Sequence, residues 1–451
     1  MKFGKPKCIF IIKRWYLKMK TTPKMKIIKK LKKFIKILGP GFISGASDDD
    51  PSGIATYSQT GVQFGYGQLW TALFSFPFMA VIQEMCGRIG MVTGKGLSGV
   101  IKKHYSKKIL YFAVTLLAIA NTINIGADLG AMVSACQLLL GISFIYWLLG
   151  IALLIVVLEI FVSYKVYAKF LKYLALTLFA YIITTFIIRV DWSKVLHSTF
   201  VPNFSMNKDY ILNVVAILGT TISPYLFFWQ TNQEVEQGHE NNKLGIRAMG
   251  TGKGIPDVKD VDIRHMGVDT NIGMLLSNLV MFFIIVTTAS TLKTHGITHI
   301  DTATQAAQAL RPLAGNFAYL LFAIGILGTG LLAIPILAGS AAYAISEVFN
   351  WKEGLNKRFK RAPGFYGVII AATLIGIIIN FLPIKPFAML YYTAIINGIA
   401  APPLMVLVML TANNKKIMGK YSNSVYSNIM GWIITIIMSI ASIGLLVSLI
   451  F

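Results

Sequence analysis

The amino-acid sequence predicts an all-α integral membrane protein with about eleven transmembrane helices. Hydrophobic residues make up 55% of its 451 positions, whereas charged residues make up only 13%. These charged residues are too few to cover that much apolar surface in a water-soluble fold. The apolar residues also fall in runs of about 20, the length of a helix that crosses a bilayer, and a helix satisfies its own backbone polar groups in lipid.

The apolar runs place the spans in order along the chain. We predict spans near residues 38–62, 68–92, 109–140, 143–163, 168–189, 210–232, 270–293, 315–348, 365–383, 386–411 and 428–450. The longest connection between them runs from Glu234 to Val268. Because it is polar and contains several glycines, we expect it to be partly mobile.

The distribution of basic residues gives the chain a direction in the membrane. Lysine and arginine outnumber acidic residues by 42 to 18, and the formal net charge is +24. Since these residues crowd the first 36 positions and every second loop, the positive-inside rule places the N-terminus in the cytoplasm and the C-terminus outside. We therefore expect a multi-pass protein of the plasma membrane, of the bacterial inner-membrane type, whose partners are the lipid bilayer and its cargo rather than nucleic acid.

We divide the chain into a basic N-terminal segment, residues 1–36, and a single transmembrane domain, residues 37–451. The segment either lies on anionic lipid or forms a cytoplasmic tail. The three cysteines are scattered and have neither disulfide-framework nor metal-binding spacing. We expect a monomer.

Proline interrupts the first and sixth spans near their centres. Pro51 follows three aspartates, and Pro224 follows a serine. Because proline removes a backbone donor and clashes with the preceding turn, both spans should unwind there and expose backbone carbonyls at mid-membrane depth. Breaks that are one five-span block apart predict two inverted repeats of LeuT type, about 37–190 and 209–411, followed by an extra helix at about 428–450.

The aspartates beside the first break predict a cation site. One charged residue costs about 2.5–3.5 kcal/mol at the centre of a membrane helix, so three in succession need compensation. Carboxylate and carbonyl oxygens are the ligands that Mg²⁺ and Mn²⁺ prefer. We expect Asp50 to be the main ligand of a divalent metal ion, whereas Asp49 and Asp48 are either further ligands or caps of the second half-helix.

Four other residues are candidates for the same site. Backbone carbonyls near Ser47 and Thr220 would face the cation if the helices unwind as predicted. The hydroxyl of Ser223 would add an oxygen unless it bonds back to its own helix. Asn397, in the tenth span, either lines the site or bonds between helices.

A few charged residues lie inside other spans. Glu84 and Arg88 are four residues apart on one helix face and should form an ion pair. Asp128, in the third span, has no local partner in the sequence. It either contacts a proton or cation path or pairs across helices.

Two of these motifs resemble signatures of the NRAMP family of divalent-metal transporters. GPGFISGASDDDPSGIAT is similar to the first-span signature of that family, which carries DPGN at its helix break. GTTISPYLFFW is similar to the sixth-span signature, in which a methionine precedes the proline and a histidine follows it. The resemblance covers most of the chain, including the span count and both breaks, and it implies transport of a divalent metal ion.

The chain departs from the family pattern at residues that would bind the ion. The family's aspartate matches Asp50, but its asparagine matches Gly53 and its methionine matches Ser223. A thioether favours softer transition metals, so its loss removes discrimination against hard ions, and the loss of side-chain ligands should enlarge the cavity. The chain therefore resembles the NRAMP-related magnesium transporters, a branch whose members carry Mg²⁺ and Mn²⁺.

The resemblance also bears on proton coupling. The family's sixth-span histidine matches Tyr225. Of its acidic pair in the third span, the aspartate matches Asp128, whereas the glutamate matches Ala131. These replacements weaken a proton path, which agrees with a branch whose members are not evidently proton-driven. Because Asp128 is retained, proton coupling stays an alternative, and Asp128 and Tyr225 are the candidates for a proton or cation path.

These observations predict an alternating-access secondary transporter for Mg²⁺ or Mn²⁺. We expect neither an enzyme nor a cofactor, because the metal is cargo. One alternative is a sodium- or proton-coupled carrier of amino acids or other solutes with the same fold, although three aspartates would repel a substrate carboxylate. Another is a Mg²⁺-dependent membrane prenyltransferase, which usually needs two acidic motifs where this chain has one.

Overall fold

The computed structural model describes residues 39–162, 176–205, 207–240 and 258–450. These residues form helices joined by turns, with no strand among them. Within these ranges, seven helices are long and apolar enough to cross a membrane, and a shorter apolar helix lies at Pro363–Ile379. The described residues from Pro40 onward pack together as one unit. The predicted N-terminal segment, residues 1–36, lies outside the described residues.

The first half of the described chain forms the first five predicted spans. Its helices are α1 (Pro40–Asp48), α2 (Pro51–Phe64), α3 (Trp70–Thr93), α4 (Leu97–His104), α5 (Lys107–Leu140), α6 (Phe144–Phe161), α7 (Phe179–Ile187) and α8 (Trp192–Phe200). Helices α1 and α2 together make the first span, and α3, α5, α6 and α7 are the second to the fifth. The fifth span is described only from residue 176 onward.

The second half forms the remaining six spans. Its helices are α9 (Lys208–Thr221), α10 (Pro224–Glu240), α11 (Asp260–Thr291), α12 (Ala318–Phe349), α13 (Pro363–Ile379), α14 (Pro386–Asn413) and α15 (Val425–Ile450). Helices α9 and α10 together make the sixth span, and α11 to α15 are the seventh to the eleventh. Shorter helices at Ala303–Gln308, Arg311–Ala314 and Lys415–Met418 lie in the connections.

Both predicted breaks are present. Helix α1 ends at Asp48 and α2 begins at Pro51, while α9 ends at Thr221 and α10 begins at Pro224. Proline is tolerated in the first turn of a helix, because its missing N–H would have no partner there. Each proline therefore starts a new half-helix instead of kinking a continuous one.

The connection between the sixth and seventh spans is more helical than predicted. Helix α10 continues to Glu240, beyond the predicted end at 232, and α11 begins at Asp260, before the predicted start at 270. Two aspartates lie in the first turn of α11, where negative charge complements the helix dipole. These turns are polar, so the apolar pattern did not reveal them. Residues 241–257 lie outside the described residues.

Glycines bring α1 into backbone contact with α11. A Cβ on Gly45 would lie 2.2 Å from the carbonyl carbon of Gly273, and a Cβ on Gly41 would lie 2.6 Å from the backbone of Thr270. No side chain fits at such distances, so only glycine permits this approach. The first half-helix of span 1 therefore lies directly on span 7.

The predicted ion pair on α3 is confirmed. Arg88 lies 3.3 Å from Glu84, one turn earlier. Arg88 also donates to Oδ1 of Asn423 at 2.7 Å, so it ties α3 to the connection that precedes α15. The outer surface of the described helices is apolar, and large side chains such as Phe161 and Ile440 are mostly exposed, as expected of residues that face lipid.

Candidate metal site

The candidate site lies where the two broken spans meet. The hydroxyl of Tyr225, in the first turn of α10, donates to the carbonyl of Ser47 at 3.0 Å. A Cβ on Gly53, in the first turn of α2, would lie 3.2 Å from Oγ1 of Thr220 near the end of α9. The fold thus brings the first and sixth breaks together.

Every predicted site residue is buried. The exposed fraction is at most 4% for Ser47, Asp49, Asp50, Asp128, Thr220, Ser223, Tyr225 and Asn397. Burial of ionised carboxylates is costly unless hydrogen bonds or an opposite charge compensate. The hydrogen-bond partners of each acidic residue therefore decide what the site can bind.

Asp50 caps α2. Its Oδ1 accepts hydrogen bonds from the backbone N–H of Gly53 at 2.8 Å and from the hydroxyl of Ser52 at 2.6 Å. Its Oδ2 accepts one from Nδ2 of Asn124, on α5, at 3.1 Å. The expectation that Asp48 or Asp49 caps this helix is wrong, because Pro51 is the first helical residue and the cap is the residue immediately before it.

Asp48 and Asp49 instead contact α11. The hydroxyl of Ser277 lies 2.8 Å from Oδ2 of Asp48 and 3.1 Å from Oδ1 of Asp49. Among the described residues, no three His, Cys, Asp or Glu side chains converge in a way that would hold a metal ion. The three aspartates therefore do not form one carboxylate cage, and a cation at Asp50 would need carbonyl, hydroxyl or amide oxygens to complete its shell.

The carbonyls at the breaks already accept hydrogen bonds. The hydroxyl of Ser223 donates to the carbonyls of Gly219, at 2.9 Å, and Thr220, at 2.8 Å, which is the return bonding to its own helix that the sequence left open. Tyr225 occupies the carbonyl of Ser47 in the same way. Since each carbonyl oxygen has two lone pairs, Ser47 and Thr220 both keep one for a cation.

Gly53 does not open the extra space that we expected there. A Cβ at this position would lie 3.2 Å from Oγ1 of Thr220 and 3.3 Å from both the carbonyl oxygen of Asp48 and the ring of Tyr57. These distances are shorter than ordinary contacts between atoms. Neighbouring groups therefore fill the position at which the resemblance places a ligand side chain.

Asp128 and Asn397 are buried near this junction. Neither carboxylate oxygen of Asp128 has a hydrogen-bond partner within the described part of the chain. Asp128 lies one turn beyond Asn124, the α5 residue that donates to Asp50. Asn397 precedes Gly398, whose backbone lies against Gly219 of α9, and its Nδ2 has no partner among the described residues.

Further polar contacts hold α1 against α11 and α10. Asp269, on α11, accepts the backbone N–H of Gly41 at 2.8 Å, so it caps the start of α1. Ser44 donates to Gln230 of α10 at 2.5 Å. Asp269, Ser277 and Asn124 were not predicted to belong to the site, although Asp269 and Ser277 share one face of α11 with Gly273 at a spacing of four residues.

A second polar cluster joins α2 to α9 and α14, further along the same half-helices. Nδ2 of Asn213 donates to Oγ1 of Thr60 at 2.9 Å, and the hydroxyl of Tyr391 donates to Oδ1 of Asn213 at 2.9 Å. Asn213 and Thr60 are fully buried. The site is thus flanked by one polar cluster on the α1 side and another on the α2 side.

The chain is similar to known proteins along most of its length. Residues 41–448 match the Nramp family model, described as natural resistance-associated macrophage protein-like. A protein of Caldanaerobacter subterraneus subsp. tengcongensis named divalent metal cation transporter MntH is 26% identical over 89% of this chain and 90% of its own length. The protein of that name from Clostridium acetobutylicum is 26% identical over 93% of this chain and 92% of its own.

Solved structures share the fold. The Eremococcus coleocola manganese transporter, in complex with an aromatic bis-isothiourea compound, has a TM-score of 0.70 at 16% identity and covers 90% of this chain and 85% of its own. Mhp1, a nucleobase-cation-symport-1 family transporter, has a TM-score of 0.57 at 12% identity over 91% and 90%. These likenesses confirm the predicted all-α, LeuT-type transporter fold.

Proposed function

The chain belongs to the Nramp family, and from this premise we propose that it is a secondary transporter of divalent metal ions, Mg²⁺ or Mn²⁺, that works by alternating access. Two proteins that align with it over most of their length are named divalent metal cation transporters, and one protein with the same fold is a manganese transporter. The departures at Gly53 and Ser223 favour the magnesium-transporting branch of the family.

One observation carries the proposal: the carboxylate of Asp50 is buried at the junction of two broken helices, 1% exposed. Asp50 supplies the main negative charge for the ion. The carbonyls of Ser47 and Thr220 and the hydroxyl oxygen of Ser223 supply neutral oxygens, some of them through water. Asp49 would join the shell only if it left the hydroxyl of Ser277, which it contacts here. Asn397, buried near the junction, is a further candidate ligand.

The proposed ligands favour hard cations. All of them are oxygens, and carboxylate, carbonyl and water ligands suit Mg²⁺ and Mn²⁺. Ser223 stands where the family signature has a methionine, so no thioether is available at this position to select a softer ion. This supports Mg²⁺ or Mn²⁺ as cargo over cadmium-like ions.

The two polar clusters beside the site suit an alternating mechanism. On one side, α1 rests on α11 through the cap at Asp269 and on α10 through Ser44 and Gln230. On the other side, Asn213 ties α2 to α9 and α14. We propose that these clusters separate in turn, so that the site opens to one side of the membrane at a time.

Proton coupling would pass through Asp128, since it is the buried carboxylate next along α5 and has no hydrogen-bond partner within the described residues. Tyr225 is the second candidate for this path, although its hydroxyl is held by Ser47. Uptake of Mn²⁺ into proteoliposomes that contain a pH-sensitive dye measures the coupling. Internal acidification that requires Mn²⁺ and is lost in Asp128→Asn would support this path.

The proposal is tested by Asp50→Ala in proteoliposomes. We expect uptake of both Mn²⁺ and Mg²⁺ to fall at least about tenfold, because each 1.4 kcal/mol of lost ion binding weakens affinity by that factor. Asp191→Asn is the control, since Asp191 is an exposed aspartate that caps α8 away from the site and should transport normally. Uptake by Asp50→Ala at the wild-type rate would contradict the proposal.

A further inference from the structure

The third span contributes an uncharged polar residue to the junction. Asn124 lies on α5 and is fully buried, and its Nδ2 donates to Oδ2 of Asp50 at 3.1 Å. The broken spans 1 and 6 are therefore not the only elements that touch the proposed ion-binding carboxylate. Any ion that binds Oδ2 of Asp50 must share that oxygen with this amide or displace it.

The two oxygens of Asp50 have different tasks. Oδ1 is engaged by the first turn of α2, through the backbone N–H of Gly53 and the hydroxyl of Ser52. These bonds hold the half-helix and would be lost if a cation took Oδ1. Among the described residues, Oδ2 accepts one side-chain hydrogen bond, from Asn124, so it is the oxygen better placed to meet a cation.

The amide of Asn124 has a second end that is unused. Its Oδ1 is buried and has no hydrogen-bond partner within the described residues. A side-chain amide has two donors at one end and an acceptor of two lone pairs at the other, and the two ends are nearly equal in size. A half-turn of the amide therefore exchanges the donor that faces Asp50 for an oxygen at almost the same place.

The distance fits a shared metal ion. In an octahedral shell with metal–oxygen distances of about 2.1 Å, neighbouring ligand oxygens are about 3.0 Å apart. The Asn124 amide end lies 3.1 Å from Oδ2 of Asp50, so after the half-turn the two oxygens would be spaced as adjacent ligands. No movement of either backbone is needed.

We propose that Asn124 is a direct oxygen ligand of the transported cation, and that its amide rotates from donor to ligand when the ion arrives. This rests on the proposed transport of divalent metal ions through Asp50. Without an ion, the N–H group stabilises the buried carboxylate. With an ion, the carbonyl end turns inward and helps to replace the water that the ion gives up, which favours hard cations because an amide oxygen is a hard ligand.

The chain offers a matched control three residues away on the same helix. Asn121 is fully buried, its Oδ1 also lacks a partner within the described residues, and its Nδ2 donates to the hydroxyl of Ser340 at 2.7 Å and to the carbonyl of Leu337 at 2.9 Å. Asn121 thus has the same type, burial and helix as Asn124, but it bonds to α12 rather than to Asp50.

The test is calorimetric titration of the purified full-length protein with MgCl₂ and MnCl₂. We expect Asn124→Leu to raise the Kd for Mg²⁺ at least tenfold. Asn124→Asp removes the N–H donor but keeps an oxygen, so its Kd should stay at or below that of the wild type. Asn121→Leu should leave the Kd within twofold while lowering the thermal midpoint measured without metal.

The outcomes separate this inference from the proposed function. Wild-type affinity in a folded Asn124→Leu protein would overturn the inference, and so would an equal loss of affinity in Asn124→Asp and Asn124→Leu, because the donor alone would then matter. If Asn124→Leu does not fold, the Asn124→Asp titration decides by itself. Loss of binding in Asp50→Ala alone would leave the proposed function standing without Asn124, whereas unchanged binding in Asp50→Ala would refute the proposed function first.

Discussion

Residues at the helix breaks have two roles, which are to hold the unwound backbone in place and to bind an ion. Ser52, Ser223 and Tyr225 hold backbone carbonyls or a cap in place, so the unwound chain keeps one shape at mid-membrane depth. Asp50 does this with one oxygen and leaves the other for an ion. Because unwound backbone in lipid is costly unless its groups are bonded, these hydroxyls stabilise the geometry in which an ion would be bound.

Ser223→Met should shift selectivity towards softer ions. A thioether at this position would add a soft ligand and would remove the hydroxyl that bonds to Gly219 and Thr220. We expect the ratio of Cd²⁺ to Mg²⁺ uptake to rise about tenfold, which corresponds to about 1.4 kcal/mol of differential binding. Competition uptake assays measure the ratio, and Ser223→Ala, which lacks sulfur, serves as the control. A ratio equal in both variants would refute the softness argument.

Glu353→Gln should change the pH dependence of stability. Burial raises the pKa of Glu353 above its ordinary value of 4.5; Glu347 adds to this increase, Lys357 partly opposes it, and Glu236 adds further. The folded state therefore keeps a proton that the unfolded state releases above pH 4.5, and stability falls as pH rises. The variant lacks this slope. As pH rises, its free energy of unfolding should therefore increase relative to that of the wild type by up to about 1.4 kcal/mol per pH unit.

Thermal unfolding in detergent between about pH 5 and pH 7 measures this difference. Asp191→Asn is the control, because its hydrogen bond from Lys194 lowers the pKa of Asp191 and the group is ionised in both states over this range. If the stability of Glu353→Gln depended on pH as strongly as that of the wild type, Glu353 would not be the group that retains a proton in the folded state.

At the residue scale, the features that depend on adjacent residues in the sequence were predictable. Three aspartates before a proline in an apolar run marked Asp50 as unusual without any structure. The sequence did not reveal which neighbour each aspartate meets, because Asn124 and Ser277 come from helices that are far away in the chain. The hydrogen bond from Ser223 to its own helix could not be predicted, because a serine hydroxyl in a helix can bond either to a backbone carbonyl one turn earlier or to another group.

At the scale of elements, α1 is a short helix held along one side. Asp269 caps its first turn, Gly45 touches Gly273 in its middle, and Ser277 meets the aspartates at its end. A helix of nine residues is too short to cross a bilayer by itself, since about 20 residues are needed. Its position therefore depends on its contacts with α11 and with Gln230 of α10, and weakening the contact with α11 should let it move.

Asp269→Ala should loosen α1. Loss of a cap typically costs about 0.5–2 kcal/mol, which would raise the population of a detached α1 by several-fold. The measurement is the rate of thiol labelling of Ser44→Cys, a buried position, in a chain whose native cysteines are replaced by serine. We expect a rate increase of roughly fivefold. Asp301→Ala, which removes an exposed carboxylate in another connection, should leave the rate unchanged.

The helix breaks were predictable, and the helix ends were not. A proline in the middle of an apolar run acts on its own turn, so its effect can be read from a few residues. The ends of α10 and α11 extend into polar sequence, where capping and packing decide the boundary. The small helix α8 was also missed, since its nine residues are too short and too polar to resemble a span.

At the scale of the whole molecule, an odd number of spans would place the two termini on opposite sides of the membrane. Eleven crossings from a cytoplasmic N-terminus leave the C-terminus outside, and we propose this orientation in the plasma membrane for a monomeric chain. The proposed division into a basic segment, residues 1–36, and one transmembrane domain, residues 37–451, follows the same charge pattern.

Reporter fusions at two points test the orientation. A phosphatase, active only outside the cytoplasm, should be active when fused after Phe451 and inactive when fused after Asn414, because α15 lies between the two points. We expect an activity difference of at least about tenfold, and a fluorescent protein fused at the same points should give the opposite pattern. Activity at Asn414 rather than at Phe451 would invert the proposed topology.

The fold of the whole molecule was predictable because its signals repeat. Apolar runs, alternating basic loops and two matching breaks all indicated the same arrangement, and the likeness to solved transporters confirms it. The close packing at Gly53 was not predictable in this way. It depends on where Thr220 and the carbonyl of Asp48 lie against the backbone of this glycine, and no periodic pattern reports such contacts.

The double use of Asp50 has a mechanical consequence. The carboxylate that would bind the ion also accepts hydrogen bonds from the first turn of α2. A force on one of its oxygens would therefore be transmitted to the helix through the other. In the proposed transport cycle, an ion bound to Asp50 would therefore act directly on the first turn of α2. Ion binding and movement of α2 would then be coupled directly through the two oxygens of one carboxylate.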